Sequence, residues 1–480
     1  MSRLKSPLKF FFLIFILTGL VLRFYNLNYD NLWFDETATF WVSDPSINFS
    51  EVVSRNIETE GSLFIYDFLV YFFNKLVGYD SNNIRIYSAI FGTLSIIVFF
   101  FLSKNILKSH NACFVSTSLF SLNVYLIKYS HEGRMYSFLI FICLLSIFSI
   151  IKILKKEKQK KNFSKYLFFF FIFQTIASVT FPFAVIIAGS FLFILFLKFF
   201  FDEKNLTLFL IALVYLIFIL FLYYFCLKYI VLFNYEFTSW IVNPEIKFFT
   251  NFYFSSFFGS RLLGIIHFLI LIGLIIKFRK LILYNLNEKT FLIYLIFFTY
   301  LIPTVFSYLF FPVIHERYII FVLIPILILL SHLVFEINNV KLKIFFIILL
   351  LGMNFFNHFF ESNFKQFYEG RPRYKPSFDE AIKYIENTDT KNYTFFFKSD
   401  PKHDNYLKPL FHYVDHIVTK KNLSLKGETF QNFLVSEEKK IWLISMSFPF
   451  WPYENVINKN NLKLVKKINF PSLQIIKLKK

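Results

Sequence analysis

The chain has 480 residues, 56% of them hydrophobic, with 75 Phe, 28 Tyr and a formal net charge of +20. Repeated uncharged runs of about 18 or more apolar residues exclude a soluble globular chain, because such runs belong in a bilayer. The positive charge does not point to nucleic acid: most lysines outside the tail fall in short loops between apolar runs, where they orient a membrane protein.

Taken from the start, Arg3, Lys5 and Lys9 precede an apolar run at 10–22. A cleaved signal peptide begins in the same way, but no small-residue cleavage site follows, so a retained anchor with a cytoplasmic N-terminus is expected. The segment 26–85 is then external. It opens with NLNYDNLWFDETAT, where the adjacent carboxylates Asp35 and Glu36 stand beside Trp33 and Phe34. Ionisable groups held near lipid are costly and are functional candidates by default; an acidic exposed loop is the plainer alternative. Residues 63–77 (LFIYDFLVYFFNKLV) are apolar but short and carry Asp67 and Lys75. They read as a helix lying along the surface rather than a span.

With that helix set aside, spans are expected at 86–103, 112–127, 135–151, 166–180, 183–201, 206–227, 262–276, 291–311, 318–335 and 344–360. With 10–22 they make eleven, and every dense Lys/Arg loop then falls on the cytoplasmic side. The same count brings Asp35–Glu36, the HEGR stretch at 131–134 and the HER stretch at 315–317 to one outer face. From 361 onward the composition changes. FDEAIKYI at 378–385 reads as an amphipathic helix, and YTFFF, IWLI and IIKL at 393–397, 441–444 and 475–478 read as short strands. The expected fold class is a polytopic all-α membrane protein of about 11 transmembrane helices. Residues 1–360 form its transmembrane domain, and 361–480 a small soluble extracytoplasmic α/β domain.

Two clusters carry chemistry besides the acidic pair. In HEGRMY, Arg134 offers a planar fork of donors suited to phosphate, Glu132 can orient it or hold a cation, and Tyr136 follows. His315, Glu316, Arg317 and Tyr318 repeat that chemistry at another helix start. The plainer alternative for both is interfacial anchoring by charges and an aromatic belt. Arg85 and Arg261 each begin an inward span and read as positional anchors, while His267 and Lys228 carry no assigned role. Three charged patches on one face fit a reaction at the water–lipid boundary. One carboxylate would deprotonate a hydroxyl nucleophile, and guanidinium groups would offset charge on a departing phosphate.

These residues resemble a family. LRFYNLNYDNLWFDETATF is similar to the first external loop of membrane-embedded glycosyltransferases of the C type (GT-C), in the branch of the protein O-mannosyltransferases and the lipid A aminoarabinose transferase. IRIYSAIFGTLSIIVFFFLSKNI at 84–106 resembles that branch's Arg-leading second span, and KYSHEGRMYSF at 128–138 its tyrosine-rich glutamate–arginine motif. HERYIIFVLIPILIL at 315–329 resembles its Glu-Arg-Tyr start of a late span, and YKPSFDEAIKYI its small external domain. The resemblance implies a polyprenyl-phosphate-sugar donor and inverting transfer to an extracytoplasmic acceptor: an envelope lipid, a polysaccharide or a protein. It implies that Asp35 and Glu36 form the catalytic pair, with Asp35 the acid. Glu132, Arg134, Tyr136, His315, Glu316, Arg317, Tyr318 and Arg85 would border the donor phosphate or a cation near it; a requirement for a divalent cation is left open. It also implies a multi-pass protein of the plasma (inner) membrane. The chain departs from the family in GSLFIYDF, which lacks prolines before the paired tyrosines, and in His131, where Gln is common. A flippase of lipid-linked sugar and a lipid-linked polysaccharide polymerase are the alternatives. Charged clusters at span ends rather than mid-span weigh against the flippase.

Overall fold

The computed structural model describes residues 6–59, 65–159, 161–202, 206–226, 241–250, 256–277, 286–360, 375–388, 394–397, 407–420, 426–429, 440–446, 457–458 and 460–480. Arg3 and Lys5, Lys228, 61–64 of the surface segment, and 203–205 and 278–280 of the expected cytoplasmic loops lie outside them. The chain forms two compact units. The first is Met1–Tyr25, Gly61–Tyr66 and Arg85–Tyr368; the second is Asn26–Glu60, Asp67–Ile84 and Glu369–Lys480.

In chain order the helices begin with α1 (Ser6–Phe24), α2 (Phe34–Val42), α3 (Phe49–Thr59), α4 (Ile65–Val77), α5 (Asn83–Ile106) and α6 (His110–Leu122). Next come α7 (Val124–Ser130), α8 (Tyr136–Lys158), α9 (Ser164–Thr180), α10 (Val185–Asp202), α11 (Leu206–Cys226) and α12 (Ile246–Thr250). The last are α13 (Arg261–Lys277), α14 (Glu288–Leu309), α15 (Leu323–Phe335), α16 (Val340–Phe360), α17 (Phe378–Thr388) and α18 (Leu407–Lys420).

Among the described residues seven helical stretches are long and apolar enough to cross a membrane: Asn83–Ile106, Tyr136–Lys158, Pro182–Phe201, Leu206–Phe225, Glu288–Leu309, Glu316–Phe335 and Val340–His358. Two shorter apolar helices, Phe12–Phe24 and Ser164–Thr180, fall at two more of the expected spans. The remaining two expected spans are also helical, but differently. The one at 112–127 is split into α6 and α7 at Asn123, and the one at 262–276 is the 17-residue α13. The break has a local cause. Asn123 leaves helical geometry at φ −63°, ψ 119°, and its side-chain oxygen accepts from Leu126 N at 3.1 Å to start α7. Its amide nitrogen donates to Phe257 O at 3.0 Å. A buried Asn that caps is a helix end, whatever the hydropathy around it.

Within the first unit, α15 is buried along its whole length from Leu323 to Val334, as a helix that is apolar all round should be. The pairing of α1 with α6 is held by a close approach and a buried charge. A Cβ at Gly19 would lie 2.2 Å from Ser121 Oγ and 2.3 Å from Ser121 O. One turn on, Arg23 is 1% exposed and its Nη1 donates to the carbonyls of Gly19 and Ser121, both at 2.7 Å. The guanidinium thereby satisfies carbonyls near the C-terminal ends of both helices, where positive charge is favoured.

In the second unit, α2, α3 and α4 meet at a small core of Trp41, Val42, Val52 and Tyr71, with Ile47 against it. The 13-residue α4 is too short to span, in keeping with the expected surface helix. Val70 and Tyr71 are buried on one side of it while Phe72, Leu76 and Val77 are exposed. The C-terminal segment forms a five-stranded mixed sheet of β1 (Thr394–Phe397), β2 (Lys426–Thr429), β3 (Lys440–Met446), β4 (Lys463–Phe470) and β5 (Leu473–Lys479). Their order is β2-β1-β3-β5-β4, with β1 parallel to both neighbours and β5 antiparallel to both of its own. The three expected strands are β1, β3 and β5, and the expected helix is α17, whose Tyr384 meets Trp442 edge-on at 6.2 Å. The strands β2 and β4 carry lysines and little apolar alternation, so they read as solvated chain until their partners are known.

The tight α1–α6 crossing yields one test. Replacing Gly19 by Ala forces the two helices apart and is expected to destabilise the protein by about 1–3 kcal/mol, the usual range for overpacking. A lowered thermal midpoint of the purified protein in detergent, measured against the wild type, is the readout.

Candidate functional site

Within the first unit the structure brings two of the sequence clusters together. The backbone turns after α7, so the short segment 131–135 runs directly into α8 and Tyr136 heads that helix. His131 Nε2 lies 2.7 Å from Leu22 O, which ties this turn to the end of α1. The other cluster enters at Glu316–Val322, two short 3-10 turns on either side of a kink at Ile319, and its N-cap is His315: Nδ1 accepts from Arg317 N at 3.4 Å and lies 3.5 Å from Glu316 Oε2. That turn lays the Arg317 guanidinium over two rings at once, Tyr136 at 5.9 Å and Tyr318 at 5.5 Å. Arg suits such a position because its planar cation stacks on aromatic faces and stays charged near lipid.

The aromatic wall extends further than the sequence reading assumed. Tyr129 packs edge-on against both Tyr125 and Tyr136, each at 4.8 Å between ring centres, and the Tyr125 and Tyr129 hydroxyls lie 3.3 Å apart. Burial pushes the Tyr129 phenol well above its ordinary range; Glu132 adds to that shift and Arg317 opposes it. Glu132 and Arg317 therefore act on one ring, although they lie far apart along the chain. Arg134 and Tyr136 are buried, Tyr318 nearly so, while Glu132, His315, Glu316 and Arg317 are half-buried. Arg85 is buried in the first turn of α5, one turn before Ser88, whose hydroxyl lies 3.0 Å from Tyr66 Oη and donates to Arg134 O at 3.2 Å. Eight candidate residues thus share one unit. Tyr125 was not singled out by the sequence reading, since nothing there separates it from the many other tyrosines in apolar runs.

Asp35 and Glu36 belong to the second unit, in the first turn of α2, where the helix N-terminus favours negative charge. Their surroundings differ sharply. Glu36 is 1% exposed; its Oε2 accepts from Trp33 N at 2.7 Å and from Lys375 Nζ at 2.7 Å. Those two donors make burial of the carboxylate tolerable. Asp35, one residue earlier, is half-buried. His267, which carried no role, is buried in the first unit against Phe258 with Nδ1 2.8 Å from Leu263 O and Nε2 3.1 Å from Asn354 Nδ2, a satisfied core histidine. Among the described residues no group of three or more His, Cys, Asp and Glu side chains is arranged to hold a metal ion.

A polar network missed in the sequence joins α18 to α2, α3 and the loop after α4 within the second unit. Tyr79 Oη donates to Phe40 O at 2.8 Å and lies 2.6 Å from His412 Nε2. Its single proton goes to the carbonyl, so His412 Nε2 carries the hydrogen of that second bond. Asp44 Oδ2 stands 3.8 Å from the same nitrogen and 4.0 Å from Arg55 Nη1. The nearby carboxylate favours a charged ring, but burial outweighs it and, with Arg55 and His416, brings His412 down to about 4.

No family model and no curated protein matches the chain. Among solved structures it is similar to ArnT from Cupriavidus metallidurans in the apo state, with TM-score 0.60 and 11% identity over 98% of each chain. The same protein bound to undecaprenyl phosphate aligns with TM-score 0.56 and 12% identity over 97% of each chain. The oligosaccharyltransferase AglB from Archaeoglobus fulgidus, in complex with an inhibitory peptide and a dolichol-phosphate, aligns with TM-score 0.51 and 10% identity. That match covers 92% of this chain and 70% of AglB. At such identities the likeness is one of fold. The chain has the fold of these polytopic membrane proteins, and the resemblance drawn from its motifs to the aminoarabinose-transferase branch holds at that level.

The depressed His412 makes the second unit sensitive to acid. An unfolded imidazole takes its proton near 6.5 and the folded ring only near about 4. The stabilisation is therefore complete above pH 6.5 and is lost as the pH falls toward about 4. Denaturant unfolding followed by Trp41 and Trp442 fluorescence is expected to weaken across that window, and His412→Gln to flatten the dependence.

Proposed function

We propose that the chain is an inverting glycosyltransferase that moves a sugar from a polyprenyl-phosphate carrier to an extracytoplasmic acceptor hydroxyl or amine on an envelope lipid, polysaccharide or protein. The observation that carries the reading is the placement of the acidic pair: Asp35 half-buried in the first turn of α2, next to Glu36, whose side chain closes that turn. Supporting it is the other half of the chemistry, an arginine held across two tyrosine faces. The fold it shares is that of one protein bound to undecaprenyl phosphate and another in complex with a dolichol-phosphate, which favours a lipid-phosphate donor.

In this reading Asp35 takes the proton from the acceptor as its oxygen or nitrogen attacks the anomeric carbon. The bond from that carbon to the phosphate oxygen breaks on the opposite side, its electron pair leaving with the polyprenyl phosphate. One displacement inverts the anomeric centre. Arg134 and Arg317 offset the charge that grows on the leaving phosphate, and Tyr136 and Tyr318 keep the Arg317 plane oriented. Glu132, His315 and Glu316 set the local charge around them. Arg85 is assigned to the same substrate-binding group. The carboxylate does general-base work worth about 10²–10⁴-fold. The protein is a multi-pass protein of the plasma (inner) membrane with eleven spans, the N-terminus cytoplasmic and the C-terminal segment outside, because that orientation leaves the lysine-rich loops inside.

In detergent, with a radiolabelled polyprenyl-phosphate sugar and extracted envelope acceptors, Asp35→Asn is expected to lower kcat by about 10²–10⁴-fold with the protein still folded. Unimpaired transfer by that variant removes Asp35 from its role, and passage of intact donor across proteoliposomes without sugar release favours a flippase. Arg317→Lys keeps the charge but loses the plane over Tyr136 and Tyr318, and kcat/KM is expected to fall about tenfold, on the order of 1.4 kcal/mol.

A further inference from the structure

We propose that Lys375 is a positioning residue for the carboxylate of Asp35, and that through it the C-terminal segment of the second unit governs the rate of transfer. The inference rests on the role given to Asp35 above and adds to it a residue that does not touch substrate.

The geometry is a closed loop held from outside. Glu36 occupies the third position of α2, and its side chain reaches back to accept from the amide of Trp33, the residue that caps the helix. That bond joins the two ends of the turn, and the backbone of Asp35 lies inside the loop it closes. Lys375 then fixes the Glu36 side chain by an ammonium–carboxylate contact of 2.7 Å, with the carboxylate side chain 1% exposed and the lysine side chain 18%. Charge-assisted bonds of this length are strong and directional. Two further contacts from the same C-terminal segment hold the residues just ahead. Asn31 Nδ2 donates to Asp379 Oδ1 at 2.5 Å and to Pro376 O at 3.3 Å. The hydroxyl of Tyr413 accepts from Leu32 N at 3.1 Å and donates to Asn31 Oδ1 at 3.4 Å. Residues 31, 32 and 36 are thus each gripped by the segment that starts at 375, and Asp35 is carried with them.

A salt bridge that only stabilises would alter the unfolding midpoint and leave turnover alone. Here removing the lysine strands a buried carboxylate, which is relieved by taking a proton or by turning toward water. Either response loosens its grip on the Trp33 amide and frees the turn. A displacement of about 1 Å at a reacting group can cost on the order of 100-fold in rate.

The test uses the full-length protein in detergent, assayed with a polyprenyl-phosphate sugar and followed in parallel by amide hydrogen exchange over 31–40. Lys375→Met is expected to lower kcat by about 10–100-fold while KM for the donor stays within about twofold, the signature of lost positioning rather than lost binding. Exchange over 31–40 is expected to quicken by about tenfold or more. Lys375→Arg restores both. If Lys375→Met does not fold, Tyr413→Phe, which deletes one hydroxyl, carries the same two readouts with a smaller expected loss. The proposal is overturned by unchanged exchange or by quickened exchange at wild-type kcat. Wild-type transfer by Asp35→Asn instead sinks the reading of Asp35, and the exchange measurements still decide whether Lys375 holds the turn.

Discussion

A single buried carboxylate organises the second unit. Glu36 cannot sit almost fully out of water without donors, and these include a backbone amide at the head of its own helix and an ammonium from a residue 339 positions later. The first contact is local and defines where α2 begins. The second is remote and requires the C-terminal segment to be folded against that helix. Around it Phe40 stacks on Tyr79 at 4.3 Å and meets His412, His416 and Tyr413 within 6.1 Å, so an apolar seam reinforces the polar one. The start of α2 and the backbone setting of Asp35 follow from the contacts of that one group.

The first unit solves a related problem with arginines. Arg23 is enclosed between α1 and α6 and is spent on backbone carbonyls, whereas Arg317 is half-buried and laid across tyrosine rings. A guanidinium whose donors are used on carbonyls fixes helices. One whose face rests on aromatics is oriented in plane, with its N–H edge directed by the rings beneath it. The polar break at Asn123 serves the same region, since it turns α6 into α7 and so sets the turn from which Glu132 and Arg134 emerge.

Much of this was legible from residues alone. Apolar length pointed to helix at each expected span, one of them broken in two at Asn123, because burial of backbone polar groups in lipid leaves helices as the open-ended solution. The short strands at 441–444 and 475–478 declared themselves by continuous apolar residues, and the candidate clusters by acid–base pairs at helix starts. What stayed hidden has physical causes. The Asn123 break depends on a partner, Phe257 O, that hydropathy does not encode. Strand β4 mixes its apolar residues with Lys463, Lys466 and Lys467, so no clean alternation announces it, and it is recognised by its antiparallel pairing with β5. Lys375 is one of many lysines in a lysine-rich tail, and nothing local marks it as the counter-ion of Glu36. That 26–60 and 67–84 fold with the tail is likewise a long-range fact, written in pairs such as Tyr79–His412 rather than in any window of sequence.

The chain passes between its two units five times, and the pairing of Glu36 with Lys375 spans 339 positions. During synthesis at about 5–20 residues per second, α2 therefore exists for roughly 17–70 s before the lysine that completes its first turn has been made. Over that interval the early segment has a nascent helix with an uncompensated acid and an uncovered Phe40, in need of shelter. Completion of the acidic turn thus waits on the synthesis of residue 375, and a chain stalled short of it would carry its apolar helices without the lysine that pairs with Glu36.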